Sequence, residues 1–292
     1  MTTAFMRTAA GVSESTASPL TAAAPPPALR LSLAAYSFRD RLPRGEKRGD
    51  MTLHDLLDLC AVWNLDAFEP TSYYFSSEET AYLHSLKAKA FRLGLAVSGT
   101  AVGNNFCFPA GEHRANELED VKRWVGHAVE IGAPVIRIFA GRKHRDADRE
   151  TAFGWVVSAI REACDYAGSR GVFLAIENHG YLTESADDVL HIVSAVNHEW
   201  FGVNLDTGNF NAAPYENMAK LAPAAINVQV KVVVKTEDGK EASDFDRIAR
   251  ILRDANYRGY VALEYEEEAD PLVAVPMYLD KLRAACRAAV DV

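Results

Sequence analysis

The sequence has few cysteines, no long apolar run and no excess of basic residues. Its four cysteines lie far apart without a CxxC spacing, which argues against a disulfide framework and favours reduced thiols in the core. No stretch reaches the roughly 18 consecutive apolar residues of a membrane span. The net charge of −9 opposes a surface built to neutralise nucleic-acid phosphates. We therefore expect a cytoplasmic protein with no membrane or nucleic-acid partner.

The first 28 residues differ in composition from the rest of the chain. They are rich in alanine, serine, threonine and proline, and they lack the continuous apolar core of a signal peptide. Three prolines at 25–27 interrupt the segment further. We predict that residues 1–28 form a flexible leader. Export directed by an atypical leader stays open.

Glycine-rich phosphate-binding motifs are missing as well. Neither GxGxxG nor GxxxxGK[ST] follows any apolar run, which disfavours an open nucleotide-binding sheet. Instead, residues 29–292 alternate eight times between a short apolar run and a helical pattern. Strands that alternate with helices indicate a parallel sheet, and eight such units in about 260 residues are typical of a (β/α)₈ barrel. We predict one α/β domain, a TIM barrel over residues 29–292, with a doubly wound sheet as the alternative.

The seventh predicted strand, INVQVKVVVK at 226–235, alternates valines with Asn227, Gln229 and Lys231. On a surface strand this pattern would simply be amphipathic. Barrel strands are covered by helices outside and by packed side chains inside. The valines are therefore expected to pack on the helices, and Gln229 and Lys231 to point into the barrel.

Polar residues also mark the carboxyl ends of other predicted strands, where TIM-barrel active sites are built. They are Glu69 on the second strand, Arg137 on the fourth, Glu177 and His179 at the fifth, Asp206 and Asn209 at the sixth, and Glu264 and Glu266 at the eighth. The stretch VGNNF after the third strand adds Asn105, which either lines the pocket or forms an ordinary turn.

Two glutamates and an aspartate at neighbouring strand ends would repel one another strongly. A metal ion between Glu177, Asp206 and Glu264 is the simplest way to offset that repulsion. Lys231 and Arg137 are alternatives, since Lys231 could pair with Glu264 or Glu266 and Arg137 with Glu69 or Glu177. The residues alone leave these arrangements open.

Four motifs in order, LAIENHG, VNLDTGNF, NVQVK and VALEYE, resemble those of the xylose isomerase-like TIM-barrel superfamily of sugar isomerases and epimerases. The resemblance covers roughly residues 30–290 and implies one divalent cation held by Glu177, Asp206, Gln229 and Glu264. Gln229 departs from the family, whose best-known members have histidine there. Because the shell is then all oxygen, Mn²⁺ or Mg²⁺ is favoured.

The predicted activity is isomerisation or epimerisation of a keto-sugar or cyclitol. A divalent ion would polarise adjacent carbonyl and hydroxyl oxygens, and Glu177 and Glu264 would transfer the carbon-bound proton through a metal-stabilised enediolate. Lyase or dehydratase chemistry on an oxidised sugar or keto-glycoside, and a non-catalytic carbohydrate-binding barrel, are the alternatives. The predicted substrate-binding residues are Lys231, His179, Asn209, Glu69, Asn105 and Arg137.

The acidic loop EYEEEADP after the eighth strand would repel a phosphate dianion. An unphosphorylated sugar or sugar derivative is therefore the expected small-molecule partner. Self-association as a homo-oligomer is also expected.

Overall fold

A computed structural model describes residues 29–289; the predicted leader, residues 1–28, lies outside the described residues. The described chain folds as a parallel barrel surrounded by helices, as the alternating sequence pattern predicts. The strands are β1 Arg30–Leu33, β2 Ala67–Phe68, β3 Ala96–Val97, β4 Thr100–Ala101, β5 Val135–Ile138, β6 Phe173–Glu177, β7 Phe201–Asp206, β8 Ala225–Lys231, β9 Val233–Thr236, β10 Gly239–Ala242 and β11 Tyr260–Glu264.

Parallel pairing runs continuously in the order β1-β11-β8-β7-β6-β5-β4. The remaining gap is closed by β2, which pairs with β3 and bridges to β1 between Ala34 and Glu69. The backbone N–H of Glu69 also donates to the carbonyl of Leu33 at 2.8 Å. Eight strand positions thus form the barrel, and the fifth to eighth correspond to β6, β7, β8 and β11.

Within residues 29–289, eight α-helices follow the strands and cover the barrel. They are α1 Leu53–Val62, α2 Thr80–Arg92, α3 Glu112–Ile131, α4 Arg149–Ser169, α5 Ala186–Val196, α6 Pro214–Leu221, α7 Phe245–Asp254 and α8 Pro271–Ala288. A capping box of Thr52 and Asp55 begins α1, as the three-residue spacing in the sequence TLHD predicts, and Ser185 with Asp188 makes a second one at α5. These boxes satisfy backbone N–H groups that have no partner within the helix.

Two details differ from the sequence pattern. The third barrel strand is divided into β3 and β4, because its first half pairs with β2 and its second half with β5. The strand predicted for 226–235 ends at Lys231, and the chain continues into the antiparallel hairpin β9–β10. The valines alternate on both sides of Val232, so the sequence pattern does not indicate that β8 ends there and β9 begins.

The core lies between the outer face of the barrel and the helices. Val228 and Val230 are fully buried there, as predicted, whereas Gln229 and Lys231 are buried toward the barrel interior. All four cysteines are free and buried, which confirms the expectation of core thiols. In the portion that the structure covers, no helix is long and apolar enough to cross a membrane.

Candidate active site

A buried lysine lies at the centre of the acidic cluster. The Nζ atom of Lys231, at the end of β8, is 3.2 Å from Asp206 Oδ2, 3.3 Å from Glu264 Oε2 and 2.9 Å from Glu266 Oε1. The strand register explains the contact, since Lys231 lies beside Glu264 and Gln229 lies beside Asp206. Of the open alternatives for Lys231, an ion pair with Glu264 and Glu266 is the one that forms.

This enclosure changes the proton affinity of each group. Burial by itself lowers the pKa of the Lys231 ammonium, but attraction from the three carboxylates outweighs burial and raises that pKa well above its usual range. Burial raises the pKa of Glu264 to about 7, while Lys231 opposes the rise. Burial likewise raises the pKa of Asp206. The lysine therefore stays charged, and the carboxyls exchange protons more readily near neutrality than exposed ones do.

Asp206 has one oxygen with no hydrogen-bond donor in the described structure. Its Oδ1 accepts the N–H of Gly208 at 2.8 Å, whereas the fully buried Oδ2 accepts no hydrogen bond. Lys231 Nζ lies within ion-pair distance of Oδ2 but is not aligned to donate. Because a buried carboxylate oxygen normally has a donor, Oδ2 is an atom that a cation could still engage.

Glu177, at the end of β6, is held by two polar side chains. Its Oε2 is 2.8 Å from Arg137 Nε in a buried ion pair, and its Oε1 accepts the amide of Asn209 at 2.7 Å. The predicted pairing of Arg137 with Glu177 is therefore the one observed. Arg137 also donates to the carbonyl of Val102 and lies under the ring of Phe139, so its guanidinium orients Glu177 from below the cavity.

Four side chains form a closed hydrogen-bonded ring deeper in the barrel. Glu69 accepts from Gln229 at 2.6 Å and from Asn227 at 2.7 Å. Asn204 donates to Gln229 Oε1 at 2.7 Å and accepts from Asn227 at 2.7 Å. Burial raises the pKa of Glu69 to about 7, and the two amide donors oppose that rise. Gln229, the predicted metal ligand, thus has both amide atoms engaged.

The other predicted substrate-binding residues divide between the cavities and the interior. His179 and Asn105 line a cavity of about 560 Å³, and Asn209 and Lys231 line a smaller one of about 220 Å³. Glu69 and Arg137 are 1% and 6% exposed, and their polar atoms contact other protein groups. Their position favours a role in orienting neighbours over direct binding.

The side chains of the acidic cluster have the donor chemistry of a divalent-cation site. Four carboxylates surround only two basic groups, Lys231 and Arg137, so the chemistry and charge fit a hard cation. Between residues 29 and 289, however, no group of three or more His, Cys, Asp or Glu side chains is arranged to hold a metal ion. The metal-ligand set therefore stays a prediction, and it comprises Glu177, Asp206, Gln229 and Glu264. In the structure the Lys231 ammonium lies among these side chains.

The sequence interpretation missed several residues of the site. Asn204 belongs to the polar ring, and its alternation with Asp206 in VNLD could have indicated an inward position. Tyr73 and Phe139 line the larger cavity. Aromatic residues near strand ends are common in any core, so no sequence signal separated these two from packing residues.

Comparisons with known proteins agree with the barrel. No curated protein matches the sequence. The structure is similar to D-psicose 3-epimerase with D-tagatose from Clostridium cellulolyticum H10 (TM-score 0.70, 16% identity, 90% of this chain and 97% of that one). It is also similar to 3-keto-D-glucoside 4-epimerase from E. coli (TM-score 0.71, 16% identity, 88% and 99%). A xylose isomerase-like TIM barrel protein from Mycobacterium smegmatis in complex with magnesium gives a TM-score of 0.71 at 16% identity over 90% and 98%.

At these identities the structural likeness concerns the fold. Family membership follows from the sequence itself, because the family described as xylose isomerase-like TIM barrel matches residues 57–284, more than half of the chain. The match spans the strand ends that carry Glu69, Arg137, Glu177, Asp206, Lys231 and Glu264. The chain therefore belongs to the xylose isomerase-like TIM barrel family.

Proposed function

We propose that this protein is an isomerase or epimerase of a keto-sugar or cyclitol, with Glu177 and Glu264 as the proton-transfer pair. The observation that carries the proposal is the placement of these two buried carboxylates at the carboxyl end of the barrel, Glu264 in an ion pair with Lys231 and Glu177 in one with Arg137. They are separated by three strand positions, β6 to β11. Two of the similar structures are epimerases of sugars, which is in keeping with this choice.

Each residue has a defined task in the proposed reaction. One carboxylate removes the proton from a carbon between a carbonyl and a hydroxyl group, leaving an enediolate. The second carboxyl returns a proton to the opposite face, which inverts the centre, or to the neighbouring carbon, which isomerises the sugar. Arg137 and Asn209 orient Glu177, and Lys231 stabilises negative charge on the substrate oxygens.

One divalent cation, Mn²⁺ or Mg²⁺, belongs to the same proposal. Glu177, Asp206, Gln229 and Glu264 would hold it, and it would supply Lewis acidity toward the substrate oxygens. Asp206 Oδ2, which accepts no hydrogen bond, supports this assignment. Gln229 is the weakest member of the set, because its carbonyl oxygen already accepts from Asn204 and its amide donates to Glu69.

Proton transfer is tested by exchange with solvent. Keto-sugars, cyclitol ketones and keto-glycosides are incubated with the enzyme in D₂O, with and without Mn²⁺ or Mg²⁺ after chelator treatment, and followed by NMR. We expect deuterium at one carbon, with loss of the signal in Glu177→Gln and Glu264→Gln. Glu46→Gln, which removes an exposed carboxylate from the surface, is the matched control and should behave as the parent.

The products separate the alternatives in the same experiment. Expulsion of a β-leaving group from the enediolate would identify a lyase or dehydratase. Sugar binding without exchange or product would identify a carbohydrate-binding barrel. Turnover that leaves no solvent deuterium in the product would refute the proton-transfer mechanism.

Self-association, a cytoplasmic location and the absence of a nucleic-acid partner stay predictions. Size-exclusion chromatography with light scattering tests the first. Cell fractionation tests the second, and a binding assay with labelled DNA and RNA tests the third.

A further inference from the structure

A basic loop borders the cavity on the side away from the acidic loop. Residues 141–145 read GRKHR and connect β5 to α4. Arg142 and Lys143 line both the 560 Å³ cavity and an adjoining cavity of about 520 Å³. His113, His144 and Arg145 line the second cavity as well. The two cavities share Asn105, Arg142 and Lys143, so this loop borders both.

Two of these positive charges have no side-chain partner within the part of the chain that the structure describes. Arg145 pairs with Asp146 at 3.0 Å, but Arg142 and Lys143 form no side-chain ion pair or hydrogen bond with any residue in the range 29–289. The loop thus places two positive charges at the walls of these cavities in a chain whose net charge is −9. It produces a local positive potential that attracts anions.

Negative charge in the same cavities is limited. Glu117 lines the larger cavity and Glu112 the smaller. Glu117 accepts the backbone N–H of Asn105 at 2.9 Å, and burial raises its pKa. The small cavity next to Lys231 has mixed charge, since Glu266 and Glu267 line it together with Lys235 and Lys240. In the two cavities beside the basic loop, by contrast, Arg142 and Lys143 outnumber the single glutamate of each cavity.

The basic loop is held in place by Asn105. The side-chain oxygen of Asn105 accepts the N–H of Arg142 at 3.0 Å and that of Cys107 at 3.1 Å. Gly141 has φ +124°, and a Cβ there would lie 1.9 Å from the same oxygen. Only glycine permits this close approach. Asn105, predicted to bind substrate, therefore positions the loop that carries Arg142.

A short series of contacts connects the basic loop to the proposed reaction centre. Phe139 and His179 line the 560 Å³ cavity, and their rings lie 4.9 Å apart. The Phe139 ring covers the guanidinium of Arg137 at 4.0 Å, and Arg137 pairs with Glu177. The cavity thus begins one layer above a proposed catalytic carboxylate and extends to Arg142 and Lys143.

We propose that Arg142 and Lys143 bind an anionic group of the substrate, a carboxylate or a phosphate, remote from the carbons that react. The proposal rests on the proposed function and narrows its substrate class to acidic sugars. A phosphate there would overturn the expectation of an unphosphorylated sugar, which rested only on the acidic loop after β11, whereas a carboxylate would agree with it. That loop lies beside Lys231, whereas the basic loop offers an anion a separate place.

Titration calorimetry at low salt tests the site without requiring turnover. The probes are inorganic phosphate, D-fructose 6-phosphate, D-glucuronate and neutral D-fructose. The variant is Arg142→Gln/Lys143→Gln. The comparison variant, Lys235→Gln/Lys240→Gln, removes the same charge from the β9–β10 hairpin at the small cavity, so the pair of variants shows which cavity binds the anion. Urea unfolding verifies that both variants fold.

We expect an anionic sugar to bind the parent more tightly than D-fructose, and the loop variant to lose about ten- to hundredfold in affinity, as for one or two charge-assisted hydrogen bonds. The hairpin variant should retain its affinity, and high salt should weaken binding to the parent. Preference for D-fructose 6-phosphate or for D-glucuronate identifies the anion.

Failure to bind any of the three anions, equal affinity for D-fructose, or a loss in the hairpin variant alone would overturn the proposal. Deuterium exchange provides the independent result on function. If the enzyme exchanges deuterium but the loop variant binds the anionic sugar as tightly as the parent, only the anion site is refuted. If the loop variant loses affinity but no acidic sugar undergoes deuterium exchange, only the proposed isomerase activity is refuted.

Discussion

Replacement of Lys231 by methionine should destabilise the protein in a pH-dependent way. Methionine fills a similar volume but removes the ammonium that contacts Asp206, Glu264 and Glu266 at 2.9–3.3 Å. At an effective dielectric constant of about 20, each unit-charge contact near 3 Å is worth ~5 kcal/mol before desolvation. Loss of the desolvation cost of lysine offsets part of this. Broken buried pairs typically cost about 3–5 kcal/mol, which is the loss expected at pH 8.

The sign of the pH dependence follows from the carboxyl pKa values. Glu264 has a folded-state pKa of about 7 against an ordinary 4.5, so the folded state holds its proton more tightly than the unfolded state. The resulting stabilisation is present at low pH and is lost as pH rises from about 4.5 to about 7. Without Lys231 the folded-state pKa rises further. The difference in unfolding free energy between parent and variant should therefore be largest at pH 8 and should decrease toward pH 5.

Urea unfolding of parent and Lys231→Met from pH 5 to pH 8 measures this difference. Lys235→Met, which removes an exposed ammonium on β9, should change the free energy of unfolding by less than about 0.5 kcal/mol. If Mn²⁺ or Mg²⁺ binds the same carboxylates, saturating metal should restore part of the stability of Lys231→Met. An equal loss at pH 5 and pH 8 would refute the electrostatic reasoning and indicate a packing defect.

Three further substitutions test other parts of the structure by urea unfolding. Gln229→Leu removes the donor to Glu69 Oε1 and the acceptor of the Asn204 amide and should lower the free energy of unfolding by about 1–3 kcal/mol; no loss would mean that the polar ring adds nothing to stability. Gly141→Ala should lower the free energy of unfolding more than Gly180→Ala does. Both glycines have positive φ, but only a Cβ at position 141 would contact Asn105. Equal losses in the two variants would rule out the close contact. Thr52→Ala removes the cap of α1 and should lower the free energy of unfolding by about 1 kcal/mol. Thr80→Ala, at the first residue of α2, where no side chain caps the helix, is the comparison and should lower it less.

Much of the architecture could be predicted because it depends on local patterns. Apolar runs that alternate with helical periodicity predicted the parallel barrel, and the Thr52–Asp55 spacing predicted the start of α1. Valines alternating with Asn227, Gln229 and Lys231 predicted which face of β8 is buried against helices. Motifs along the chain also identified the family that residues 57–284 match.

Which polar groups meet inside the barrel was decided only by the tertiary structure. Glu69 and Gln229 are 160 residues apart in sequence, yet they share a hydrogen bond. Lys231 forms ion pairs with Asp206, Glu264 and Glu266, so a metal ion is not the only positive charge near these carboxylates. The sequence determined that these side chains point inward, since alternation fixes the face of a strand. Their partners depend on strand stagger, side-chain length and the competition among buried charges, and these are properties of the closed barrel rather than of any one strand.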